Sequence, residues 1–194
     1  MRRRSFCRLL GQRGVAVSGL DPVSEMISEA ERRDGEGRYV VGFGEDLPFP
    51  DTTFDLVVSY LSLIDIDDAG RAISEMARVA KPGGRLVIAN LTSFSTSSTI
   101  AGRRTRQDTK EEIRPLGQYL TEQKQWFEWA GLRVQNWHRP LSRYMQWFLG
   151  AGLILEHFDE PRPKSGPPDR ISAYEAMPYL MVMTWKKAAP PADR

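Results

Sequence analysis

LPFPDTTFDLVVSYLSLIDIDDAGRAISEMARVAKPGGRLVIANL, residues 47–91, decides the fold. Phe54-Asp55-Leu56-Val57-Val58-Ser59-Tyr60 is a short apolar, β-branched run, bounded upstream by Pro48, Pro50 and Asp51 and downstream by a polar turn. Arg85-Leu86-Val87-Ile88-Ala89-Asn90-Leu91 is a second run of the same kind. Between them Ala69, Ile73, Met76, Ala77 and Ala80 recur at helical spacing. Asp67 or Asp68 suits the N-cap. Lys81-Pro82-Gly83-Gly84 stops the helix, because proline cannot continue it and glycine tolerates positive φ. Strand, helix and strand, with both strands apolar along their length, predict a βαβ unit in a parallel sheet covered on both faces.

Working outward, Ser5–Gln12 reads as a short helix ended by Gly14, and Val15–Leu20 as a strand ending at Asp21. Pro22 suits the first turn of the next helix, whose apolar face is Val23, Met26, Ile27 and Ala30. Asp34-Gly35-Glu36-Gly37 is a loop, and Tyr39–Phe43 is another strand. In doubly wound sheets, ligands lie beyond the carboxyl ends of the strands. Asp21, Phe43-Gly44 and Ser59 end three strands and are expected to share one rim. A carboxylate at such an end can take two hydrogen bonds from a ribose diol, or it can cap the following helix.

Thr92–Gly102 is Ser/Thr-rich and reads as a loop, followed by the basic run Arg103-Arg104-Thr105-Arg106, read as a solvated loop. Tyr119, Trp126, Phe127, Trp129 and Trp137 make the next segment aromatic, with Ala130-Gly131 as its turn. A helix begins at Pro140 or Ser142 and carries Leu141, Tyr144, Met145, Phe148 and Leu149 on one face. Leu153–Phe158 is a strand, Glu160–Arg170 a proline-rich loop, Tyr179–Trp185 the last strand, and 188–194 a frayed tail.

Composition narrows the function classes. The chain has 194 residues, enough for one domain with a sizeable core. A net charge of +2 gives no case for nucleic acid, and no apolar run nears the roughly 20 residues of a membrane span. Cys7 is the only cysteine, so no intrachain disulfide or multi-cysteine metal site forms, which suits a reducing, cytoplasmic setting. Zinc-ligand spacing, a P-loop, a Ser-His-Asp order and internal repeats are all absent. Five arginines and no acid in residues 1–20 have the look of a transit peptide, and a different reading of them follows below.

LPFPDTTFDLVVS followed by ISEMARVAKPGGRLVIAN, with GLDP upstream, resembles the class I S-adenosylmethionine (SAM) methyltransferases of the methyltransferase type 11 group, closely over Val15–Leu91 and loosely to Lys186. The resemblance implies an α/β, Rossmann-like, doubly wound and mostly parallel sheet with an antiparallel last strand. It implies one methyltransferase-like domain over 1–194, with an aromatic-rich lid and substrate insertion at 92–140. SAM is the implied cofactor, contacted by Asp21 on its ribose and by Pro22, Phe43, Gly44, Glu45 and Ser59, with no metal. Phe43 stands where relatives carry the aspartate that meets adenine, and its core-filling reading is preferred to stacking. Tyr119, Trp126, Trp137 and His138 are the implied substrate contacts. His138 is a candidate general base, although a structural histidine bonded to backbone is the preferred reading. The partner is a small-molecule acceptor, not a membrane or nucleic acid; Ser59-Tyr60-Leu61-Ser62 stands where amino-methylating nucleic-acid enzymes carry N-P-P-[YF].

The chain departs from that family at its start. A first strand ending in a D-x-G-x-G-x-G turn should precede the helix at Ser5–Gln12, yet Met1-Arg2-Arg3-Arg4-Ser5 stands there. Three explanations compete: a fragment or mis-assigned start, loss of the cofactor turn, or another segment filling the place. The first is preferred, which makes the arginines neither a transit peptide nor a nucleic-acid arm. The expected function is SAM-dependent methyl transfer to a small molecule. The alternative is a catalytically inactive scaffold or partner-binding protein of the same fold. A nicotinamide dehydrogenase, which Asp21 after a strand would also suit, lacks its G-x-G-x-x-G.

Overall fold

The computed structural model describes residues 6–34, 37–102, 104–106, 108, 112–129 and 132–189. The expected arginine-rich start, Gly35-Glu36, Arg103, the Ala130-Gly131 turn and residues 190–194 lie outside these. The chain divides into two compact units, Met1–Phe49 and Pro50–Arg194.

In the first unit, helix α1 (Phe6–Gly11) leads to strand β1 (Ser18–Asp21), helix α2 (Ser24–Arg33) and strand β2 (Arg38–Val41). β1 and β2 pair in parallel, Ser18 opposite Arg38 and Asp21 opposite Val41. The strands are shorter than expected: Val15–Val17 and Gly42–Phe43 fall outside them. In α2 Ile27 is buried, while Val23 and Met26 of the expected apolar face are exposed.

The second unit is built on β3 (Phe54–Tyr60), α3 (Ala69–Val79) and β4 (Ala80–Leu91). β3 and β4 run parallel, so the βαβ unit read from residues 47–91 is present. Asp68 caps α3, its carboxylate accepting the Arg71 N–H at 2.9 Å. Ala69, Ala72, Ile73, Met76 and Ala77 are buried along one stripe. The Lys81–Gly84 turn ends the helix but is counted within β4, with Gly83 at φ 78° and a register shift opposite Phe54–Leu56. β9 (Leu153–Asp159) and β10 (Leu180–Lys187) complete a four-stranded sheet in the order β3-β4-β10-β9. β10 is antiparallel to both neighbours, so the sheet is mixed.

Thr92–Gly102 is not a loop. Helix α4 (Ser93–Ala101) occupies it, capped by the Thr92 hydroxyl, which accepts the Ser95 N–H. Its Ser and Thr side chains are largely buried, and the Thr99 hydroxyl donates to the Ser95 carbonyl one turn back. Two short strands, β5 (Arg104–Thr105) and β6 (Glu112–Ile113), follow and pair. The aromatic segment is a hairpin, β7 (Gln123–Trp129) antiparallel to β8 (Leu132–His138). Helix α5 (Leu141–Gly150) follows Pro140. Its Trp147 lies on Gly70 of α3 so closely that a Cβ there would stand 2.7 Å from the indole nitrogen. Phe148 stacks on Trp185 of β10, centroids 4.8 Å apart, at the centre of the core. The proline-rich loop is shorter than expected, since Pro168 opens helix α6 (Pro168–Ala176).

Candidate functional site

The residues singled out at the strand ends divide between the two units. Asp21, Pro22, Phe43, Gly44 and Glu45 belong to the first, and Ser59 to the second.

Asp21 is the last residue of β1. Its Oδ1 accepts the Val23 N–H at 2.9 Å, closing a turn that launches α2, while among the described residues Oδ2 accepts no hydrogen bond. One oxygen orients the carboxylate, and the capping bond leaves the other able to accept from an outside donor. The Gly44 N–H, in the turn after β2, donates to no backbone acceptor among the described residues. Phe43 beside it is 65% exposed, which corrects the expectation that it fills core. An open carboxylate oxygen, an open backbone donor and an exposed ring fit a nucleoside: diol to carboxylate, base edge to N–H, base face to ring. Pro22 is exposed and Glu45 half-buried.

In the second unit, Ser59 is buried near the end of β3, its hydroxyl 2.7 Å from that of Ser62. Leu61 between them has φ 53°, a left-handed conformation that a branched aliphatic side chain adopts at a cost. It is held by its N–H, which donates to Ala89 O at 2.8 Å.

His138 closes β8 and is 2% exposed. Its Nε2 lies 2.8 Å from Tyr119 O, which can only accept, so Nε2 carries the proton and Nδ1 accepts from the Thr96 hydroxyl at 2.8 Å. Burial pushes its pKa below the ordinary value, against the Tyr119 carbonyl and the charge of Glu122. With both nitrogens committed, the ring offers no lone pair to a substrate in this arrangement. Tyr119 stacks on Phe94 at 5.3 Å and its ring tilts over His138 at 5.6 Å. Trp137 is held by its indole N–H, which donates to Asp67 Oδ1, and by the Arg139 guanidinium 4.6 Å above its ring. Trp126 is 54% exposed under Arg133. Tyr119 and His138 are thus brought together, while among the described residues no ring contact joins Trp126 or Trp137 to them. The side chains of Phe127 and Trp129 lie outside the described residues.

Sequence reasoning missed Arg139, Asp67 and Asn90. Arg139, 1% exposed, donates from Nη1 to Leu63 O and from Nη2 to Ile66 O and Asp67 O. Asp67 accepts from Trp137, Gln135 and Lys124, and these bonds hold its carboxyl below the usual range, Trp137 first. Asn90, at the end of β4, is buried near the Tyr144 hydroxyl, yet neither amide atom has a hydrogen-bond partner among the described residues. An arginine beside tryptophans carries a weak signal in sequence; the buried asparagine, inside an apolar strand run, carries a stronger one.

Comparison with known proteins bears on this geometry. Residues 3–88 match the model of a methyltransferase domain. A ubiquinone/menaquinone biosynthesis C-methyltransferase UbiE from Psychromonas ingrahamii is 36% identical over 88 residues, 43% of this chain and 35% of that protein. The chain thus spans about a third of the length of the curated relatives it matches. A SAM-dependent methyltransferase structure from Mesorhizobium loti superposes over 94% of this chain and 85% of its own, with TM-score 0.78 and 22% identity. The [4+2]-cyclase SpnF shares the fold over 94% of this chain and 71% of its own, at TM-score 0.56 and 18% identity, so the fold alone does not fix the reaction. The α/β architecture with a mixed sheet is the Rossmann-like methyltransferase fold. Residues 3–88 are thus similar to a methyltransferase domain, and the chain shares the fold of solved SAM-dependent methyltransferases.

Proposed function

We propose that the protein transfers the methyl group of SAM to a small-molecule acceptor, a hydroquinone-like aromatic ring whose carbon is the nucleophile. The carrying observation is Asp21, a carboxylate at a strand end with Oδ1 bound to Val23 N–H and Oδ2 open. On this reading Oδ2 accepts from the ribose hydroxyls, the Gly44 N–H meets the adenine edge, and Phe43 lies against its face, with Pro22 and Glu45 alongside. When bound, SAM supplies a methyl already activated on a sulfonium. The protein's own task is then to align acceptor and methyl and to exclude water, and no side chain need bond to the substrate covalently.

The acceptor class rests on the relative's printed role in ubiquinone and menaquinone biosynthesis. Residues 92–140 act as the lid, with Tyr119, Trp126 and Trp137 toward the acceptor and His138 holding Tyr119 through its carbonyl. Among the described residues no helix is long and apolar enough to cross a membrane, and we place the protein in the cytoplasm. The test is methyl transfer from radiolabelled SAM to a 1,4-naphthohydroquinone and a benzohydroquinone, with calorimetric SAM titration alongside. Label in the ring-methylated product is expected. SAM binding without transfer to any hydroquinone would overturn the acceptor class, and no SAM binding would overturn the reading whole.

A further inference from the structure

Arg139 is a fully buried charge whose partners are not where charge is usually answered. Its guanidinium turns to three backbone carbonyls, Leu63 at 2.9 Å, Ile66 at 2.7 Å and Asp67 at 2.8 Å. All three belong to the loop that leaves the carboxyl end of β3. Among the described residues, the acid paired with it is Glu122, 3.6 Å from Nε and also held by Arg143 at 2.6 Å. The indoles of Trp137 and Trp147 flank the guanidinium at 4.6 and 5.7 Å.

That loop begins with the left-handed Leu61 and carries Ser62, the partner of Ser59. A strained residue persists only where its surroundings over-determine it. Ala89 O of β4 holds Leu61 itself, and the hairpin holds the loop that follows it. Trp137 N–H donates to Ile64 O at 2.6 Å, Asn136 to Asp65 at 2.5 Å and Gln135 to Asp67 at 2.6 Å, so β8 together with Arg139 just after it grips five successive loop residues, Leu63 to Asp67.

We propose that Arg139 is a positioning residue for methyl transfer: through the Leu63, Ile66 and Asp67 carbonyls it locks the β3–α3 loop, and with it Leu61 and Ser62, into the conformation that the acceptor meets, and it couples that loop to the hairpin. The role rests on the methyltransferase reading above. Arginine is required because its planar fork answers three carbonyls in fixed directions, whereas a lysine ammonium is a point charge on a flexible stem.

The test uses Arg139→Lys, which keeps the charge, read by amide hydrogen exchange and by kinetics with the naphthohydroquinone probe. Exchange of residues 61–67 should quicken at least tenfold while the β4 and β10 amides stay protected. The kcat per folded molecule should fall at least tenfold, with the KM for SAM within twofold, since Asp21 and Gly44 are untouched. Unchanged exchange in 61–67 would overturn the clamp. Faster exchange with unchanged kcat would overturn the positioning role and leave a structural one. A wild-type protein that binds no SAM would fail the methyltransferase reading and take the positioning role with it, leaving exchange to report on the loop alone. Should the lysine variant not fold, Glu122→Gln, which loosens the ion pair but leaves the three carbonyl bonds, should leave exchange in 61–67 within twofold; a tenfold rise there would overturn the assignment to Arg139.

Discussion

At the scale of single residues, Asp21 and His138 each make a separate prediction. Asp21 already gives one oxygen to Val23 N–H, so replacing it by asparagine keeps the turn through Oδ1 and puts an amide NH2, a donor without charge, where the open carboxylate oxygen stood. A charge-assisted hydrogen bond exceeds a neutral one by about 1.4 kcal/mol, so Asp21→Asn should weaken SAM roughly tenfold by calorimetry with little change in melting temperature. His138 makes a pH prediction. Burial lowers its pKa in the folded state, so the unfolded chain takes up its proton first as pH falls. Its contribution is intact above the unfolded value of about 6.5, declines below it, and is fully lost beneath the lowered folded value. Asp65 works in the opposite sense: burial raises its carboxyl pKa, against the Asn136 bond, so its window lies lower, near the carboxylate range. Urea unfolding at pH 7 and pH 5 should therefore show a loss of stability in the wild type that His138→Gln flattens.

At the scale of elements, α3 is the best test of the reading from sequence. Its stripe of Ala69, Ile73, Met76 and Ala77 was legible from spacing alone, and so was an aspartate cap, though two neighbours competed for it. The structure separates them: Asp68 caps the helix, and Asp67 serves the hairpin. Asp68→Ala should cost about 1 kcal/mol, read as a lower urea midpoint with unchanged slope. Ile73→Ala, at a position with no exposure, should cost about 3 kcal/mol by the same measurement. α4 was not legible. A run of serines and threonines signals loop because those side chains compete with the backbone, and only tertiary packing around Thr96 and His138 makes a buried helix of it. Arg139 was illegible for a related reason: its partners are carbonyls, which every residue carries and no sequence pattern marks.

At the scale of the whole molecule, the βαβ unit could be read from residues 47–91, because parallel buried strands and a glycine-stopped helix leave strong periodic signals, whereas the antiparallel direction of the last strand came only from the family resemblance. Phe43 shows the limit. Apolar character said core, yet the ring is exposed, and only coordinates tell a filled interior from an open ring. The central claim is that Asp21 and Gly44 hold the nucleoside of SAM. Calorimetric titration of SAM into the protein as it is made in the cell, with Asp21→Asn as the paired variant, tests it most directly. One site per chain, weakened about tenfold in the variant, is the expected result; equal affinity in both proteins, or no heat and no thermal shift in either, would contradict it.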